Sequence, residues 1–169
     1  MAWPLFGVAP ALPPASGRFG AVRRHDVHTG VDLHAAEGSE VVAIEPGRVV
    51  AVVPFTGPAA GSPWWLPTRA VLVEDTDGVW VYGEVDPEVS VGDTVVEGQR
   101  LGTVARVLRR DKGAPTAMLH LERCAPGLRD PVWWRHGEPC PAVLQDPMPR
   151  LARRGHGPRR VPTDTSTTG

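Results

Sequence analysis

The chain has 169 residues, enough for one domain with a substantial core and too few for two comfortable ones. Its 18 basic and 19 acidic residues leave a net charge of -1, so nothing in the balance argues for nucleic acid as a partner. Glycine and proline at 19 residues each, with only 6% aromatic residues, argue against a helical bundle and for short strands joined by turns.

The N-terminal stretch MAWPLFGVAPALPP lacks a basic segment and is broken by Pro4, Pro10, Pro13 and Pro14. It makes a poor signal peptide, and no apolar run approaches membrane-spanning length. Residues 1–24 read as a Pro/Gly-rich lead-in ending at Gly20 and the Arg23-Arg24 pair. A β core is expected over residues 25–130. Val41 opens the run VVAI, and a turn at Glu45-Pro46-Gly47 leads into RVVAVV, a hairpin signal. Pro54 to Arg69 is a turn-rich excursion carrying Trp64 and Trp65, after which AVLVEDTDGVWVYGEV predicts two strands around Thr76-Asp77-Gly78. In VSVGDTVVEGQRLGTVA, Gly92-Asp93 and Glu97-Gly98 bracket a short strand at tight corners. Residues 106–116 are polar and turn-rich, and 117–122 alternate again.

No helical period stands out. The prolines from Pro126 to Pro149 predict an extended wrapping coil over 131–150, with Trp133 and Trp134 as packing residues. Residues 151–169 offer almost nothing to bury and are expected to be disordered. Cys124 and Cys140 are too few for a disulfide framework, although one bond between them is geometrically possible. The expected fold class is all-β: one antiparallel sandwich- or barrel-like core with few or no helices.

His28 and Asp32 stand four apart in HTGVD, but Thr29, Gly30 and Val31 between them disfavour a helix. His28 is therefore placed at a loop end and Asp32 entering a strand. In MLHLE the strand period puts Met118, His120 and Glu122 on one face and Leu119 and Leu121 on the other. Two imidazoles and one carboxylate suit zinc with an open position for water or substrate. Residue type alone favours reading His28, Asp32 and His120 as unrelated surface or hydrogen-bonded residues, and motif context has to overturn that.

The surrounding segments resemble the lysostaphin-type, LytM-like zinc endopeptidases. The resemblance runs from about Pro4 to Asp130. Its carriers are Phe19, Gly20 and Arg23, then HTGVDLHAAEGSEVVAIEPGRVV, VSVGDTVVEGQRLG and MLHLE. It implies a core of the duplicated hybrid motif type, peptidoglycan peptides as substrate, and zinc bound by His28, Asp32 and His120. That substrate lies outside the cytoplasm while no export signal is visible, so the resemblance leaves three places for the protein: the envelope or exterior by another export route, a phage particle, or the cytoplasm.

Two positions depart from the family pattern. Met118 stands where the family has the first histidine of His-x-His, and Glu84, in Tyr82-Gly83-Glu84-Val85, stands where it has its other catalytic histidine. Met118 cannot move a proton. Glu84 could serve as general base, a role carboxylates take in other zinc peptidases, or be a solvated carboxylate at a strand end. His34 lies on the strand face of Asp32 and could supply a proton donor. Trp64 and Trp65 fall where the family walls its substrate groove, and could stack on substrate or fill the core.

Two other functions compete with an active peptidase. One is a catalytically silent, zinc-bound domain that binds wall peptide or a partner, since metal binding adds to folding energy. The other is a phosphocarrier barrel like the glucose-specific enzyme IIA, which shares the His-x-Gly-x-Asp segment. That family has a second active-site histidine upstream after a long series of strands. Here only 24 residues precede His25, which disfavours the match.

Overall fold

Val-rich runs bounded by Gly, Pro and Asp become strands throughout the chain, in the order β1 (Val31–His34), β2 (Glu40–Val42), β3 (Gly47–Thr56), β4 (Thr68–Glu74), β5 (Val79–Pro87), β6 (Thr94–Val95), β7 (Arg100–Val104), β8 (Met118–Cys124) and β9 (Leu144–Gln145). A short helix, α1 (Met148–Ala152), closes the series. The structure, a computed structural model, describes residues 2–110 and 116–152. All named strands pair antiparallel, in the order β1-β8-β5-β4-β3-β6, with β7 joining β5 to β2 and β9 on β8. Among these residues no helix is long and apolar enough to cross a membrane.

The central strands are buried on both faces, so alternate residues enter different clusters. Val71, Val73, Trp80, Tyr82, Leu119 and Leu121 join the larger one. Ala70, Leu72, Val79, Val81 and Cys124 join the smaller one, on the face of β8 that also carries His120 and Glu122. The functional candidates on β8 therefore share a face with an apolar cluster.

The segment Pro54 to Arg69 is shorter as a loop than the sequence suggests. β3 runs through Pro54 to Thr56 and β4 begins at Thr68, with Pro54 opposite Arg69 and the Thr56 and Thr68 hydroxyls 2.8 Å apart. Pro54 is tolerated because β6 covers the other edge of β3 only at Gly47 and Arg48, so its missing N–H leaves no ladder bond unmade. The helix α1 also extends the folded chain past Arg150: Leu151 is buried in the larger cluster, and Arg150 pairs with Glu45 and Asp77. The tail from 153 onward lies outside the described residues. Cys124 is buried, Cys140 is exposed, and both are free thiols.

At the end of β8 far from His120, Arg123 is 1% exposed and grips Asp75 through two hydrogen bonds of 2.7 and 2.9 Å, with its guanidinium 5.0 Å from the centre of the Trp80 ring. Removing one partner strands the other as a buried charge. Arg123→Met is expected to lose about 3–5 kcal/mol in urea unfolding, with part of the loss recovered when Asp75→Asn is added.

Candidate metal centre

The tight excursion from Gly20 to His28 is closed by two backbone bonds of 2.9 Å, Gly20 N–H to the His28 carbonyl and His28 N–H to the Ala21 carbonyl. This delivers His28 to the start of β1. Asp32 lies on β1 directly opposite His120 on β8. Directly opposed residues of an antiparallel pair project their side chains to the same side, so register alone brings the carboxylate to the second imidazole.

Three atoms converge. His28 Nε2 lies 3.1 Å from Asp32 Oδ1 and 3.1 Å from His120 Nδ1, and His120 Nδ1 lies 3.0 Å from Asp32 Oδ1. The three residues are 3%, 6% and 5% exposed. Each imidazole uses its other nitrogen elsewhere: His28 Nδ1 donates to the Arg18 carbonyl at 2.9 Å, and His120 Nε2 to Glu122 Oε1 at 3.0 Å. The inward nitrogens then present lone pairs to one another and to a carboxylate oxygen, an arrangement that repels itself unless a cation lies among them. Burial would lower the pKa of His120, but its bonds to Asp32 and Glu122 outweigh that and push it up to about 10. Burial would raise the Asp32 carboxyl, and the two histidines hold it well below the usual carboxylate range instead. A proton on His120 is thus the cation of the metal-free chain.

A zinc ion suits the same place. Tetrahedral ligands about 2.0–2.1 Å from zinc lie about 3.3 Å from one another, close to the spacings here. The donor set of two nitrogens and one carboxylate oxygen matches a zinc site that keeps one position open.

Around these three residues the site is part aromatic and part charged. The Phe55 ring lies 5.1 Å from that of His120. Phe55 can reach it only because position 83 is glycine, where a Cβ would meet the Phe55 ring at 2.6 Å. Arg23 pairs with the outer oxygen of Asp32, Oδ2, and also donates to the Ser16 carbonyl at 3.2 Å.

Glu84 sits at a bulge in β5. Val85 opposes Arg69 and Tyr82 opposes Val71, so Gly83 and Glu84 together face a single residue of β4. Its φ of 61° is left-handed, and among the described residues no other non-glycine residue has a positive φ. Such a conformation costs about 1 kcal/mol or more. Glu84 lines the pocket with His28 and His120, and its Oε2 is buried without a hydrogen-bond partner. Burial, with the nearby charge of Asp32 and against that of His120, pushes its pKa up to about 7.

The remaining sequence candidates fall in different places. Trp65 lines this pocket, whereas Trp64, 65% exposed, meets it edge-on at 6.0 Å and stays outside. His34 is exposed and lines a separate hollow beneath the lead-in, with Trp3 and Leu12. Met118 is half-buried and pairs in register with His34. Trp134 packs on Phe19 at 5.7 Å, as its assignment to packing anticipates, but Trp133 is 67% exposed and faces the pocket. Sequence reasoning also gave Glu122 no role, although the period of MLHLE had placed it on the face of His120.

The sequence matches the model of peptidase family M23 over residues 26–126. No curated protein sequence matches the chain. Among solved structures, LytU aligns at 20% identity over 90% of this chain and 91% of its own, with a TM-score of 0.57. The catalytic domain of the antimicrobial peptidase lysostaphin from Staphylococcus simulans aligns at 23% identity over 86% and 90%, TM-score 0.51. CbpA from L. salivarius REN aligns at 23% identity over 72% and 75%, TM-score 0.52. These likenesses are of fold.

Proposed function

Since the chain belongs to peptidase family M23, we propose that it is a zinc-dependent endopeptidase of peptidoglycan peptides in which Glu84 does the proton transfer. The observation that carries this reading is Glu84 itself. A strained backbone, a buried carboxylate oxygen without a partner and a pKa near neutrality are costs that a merely structural residue would not need.

His28, Asp32 and His120 would hold the ion, which supplies polarisation of the scissile carbonyl and of the attacking water. Glu84 accepts the water proton at Oε2 and returns it to the departing amine nitrogen, so one carboxylate serves in both directions. Burial of the Glu84 carboxyl favours its protonated form, which helps it take the proton from water. Phe55 and Trp65 line the pocket and give it an apolar wall beside the reacting groups. Arg23 fixes Asp32 through Oδ2 and leaves Oδ1 facing the two imidazoles.

Met118 supports a second reading, a zinc-bound domain that binds wall peptide without cleaving it, because a thioether cannot replace the imidazole that the family carries there. Metal analysis of purified protein combined with a zymogram on purified cell walls decides between them. The peptidase reading expects about one zinc per chain and wall clearing that a chelator abolishes and zinc restores. Stoichiometric zinc with intact walls would leave the silent domain standing.

A further inference from the structure

In HTGVD, His28 and Asp32 face the proposed ion and Val31 enters the core, which leaves Thr29 and Gly30 unexplained. Gly30 allows a close approach. A Cβ there would lie 2.4 Å from the Leu121 carbonyl oxygen and 2.9 Å from Glu122 Cγ, so only glycine lets the start of β1 come this near to β8. That approach brings Thr29 Oγ1 to 2.5 Å from Glu122 Oε1, to which it donates. The same oxygen accepts from His120 Nε2 at 3.0 Å. Glu122 is 1% exposed and has no lysine or arginine partner among the described residues, its other contact being the Cys124 thiol at 3.9 Å. A buried carboxylate whose partners are one imidazole, one hydroxyl and one thiol calls for a purpose.

This inference rests on the metal-centre reading above. We propose that Thr29 and Glu122 are positioning residues for the metal: Glu122 holds the proton of His120 on Nε2, so that Nδ1 is the ligand atom, and Thr29 anchors the carboxylate that does so. An imidazole has two nitrogens and an isolated ring exchanges the proton between them. A carboxylate can only accept, so its place beside Nε2 settles which nitrogen carries hydrogen. Its negative charge also makes Nδ1 a stronger donor to a cation, and outer carboxylates of this kind typically contribute 10–100-fold in metal affinity. Thr29 grips Oε1 from the side of β1 and stops the carboxylate from rotating away from the ring. Gly30 has the steric part, since any larger residue would push β1 off β8 and break the Thr29 contact.

The test is a zinc competition titration against a chromophoric chelator on the full chain, for wild type, Glu122→Gln, Thr29→Val and Thr29→Ser, with visible spectra of the cobalt-loaded forms. Glu122→Gln is expected to bind zinc about 10–100-fold more weakly. Thr29→Val is expected to weaken binding in the same direction, Thr29→Ser to restore it, and the cobalt bands to shift in the two weakened variants only. Should Glu122→Gln not fold, the Thr29→Val and Thr29→Ser pair decides alone. Stoichiometric wild-type binding with unchanged affinity and spectra in the variants would overturn the positioning role and leave the metal centre intact. A wild type that binds neither metal would remove the metal-centre reading and this inference with it.

Discussion

Glu84→Gln is expected to lower wall hydrolysis by about 10²–10⁴-fold, the usual contribution of a general base, while making the metal-free protein more stable above neutral pH. Both effects follow from one carboxylate. Gln keeps the size and the left-handed backbone, but it cannot accept the water proton. The stability effect comes from burial, which raises the pKa from its ordinary 4.5 to about 7. The folded protein therefore holds this proton more tightly than the unfolded chain does, and folding becomes less favourable as pH rises through that window. Above about pH 7 the ionised, buried Glu84 costs about 3 kcal/mol. In chelator, Glu84→Gln should melt several degrees above wild type at pH 8 and level with it at pH 4.5. Glu84→His, which places another proton-accepting group at this position, should keep activity that Gln loses. Full turnover by Glu84→Gln would remove Glu84 from the mechanism.

Much of this fold was legible because its strands obey simple periodicities and its corners use the expected residues. The alternation in MLHLE places Leu119 and Leu121 on the face opposite His120, and the structure puts both leucines in the larger core cluster. The Thr76-Asp77-Gly78 turn forms as anticipated, with Asp75 Oδ1 accepting from the N–H groups of Asp77 and Gly78 at 2.7 and 3.0 Å. What the sequence hid depends on long-range register. That Asp32 opposes His120 across 88 residues is a property of β1 and β8 pairing, not of either segment. Glu84 could be read as a solvated strand-end residue because a bulge leaves no local signature in Tyr82-Gly83-Glu84-Val85 beyond one glycine. Trp133 comes from the wrapping coil, whose route over the pocket no periodicity encodes. The turn-rich composition of residues 54–69 predicts a longer loop than forms, because β3 has a free edge at Pro54 that tolerates proline and lets the strand run on to Thr56.

Asp32→Ala is expected to reduce zinc content from about one ion per chain to near none and to abolish wall hydrolysis with it. The reason is geometric: Oδ1 lies within 3.1 Å of both inward-facing histidine nitrogens, and Asp32 is the one acidic residue of the three candidate ligands. Two neutral imidazoles alone hold zinc far more weakly than the full set. The loss should show in stability as well as in binding. An ion that binds only the folded chain raises stability by RT ln(1 + [L]/Kd), about 4 kcal/mol when free zinc is a thousandfold above Kd. Wild type should therefore melt at a markedly higher temperature with zinc than with chelator, and Asp32→Ala should melt alike in both. Comparing each protein with its own chelated form removes the separate effect of leaving Arg23 without its partner. Equal zinc-dependent shifts in the two proteins would place the ion somewhere other than between His28, Asp32 and His120.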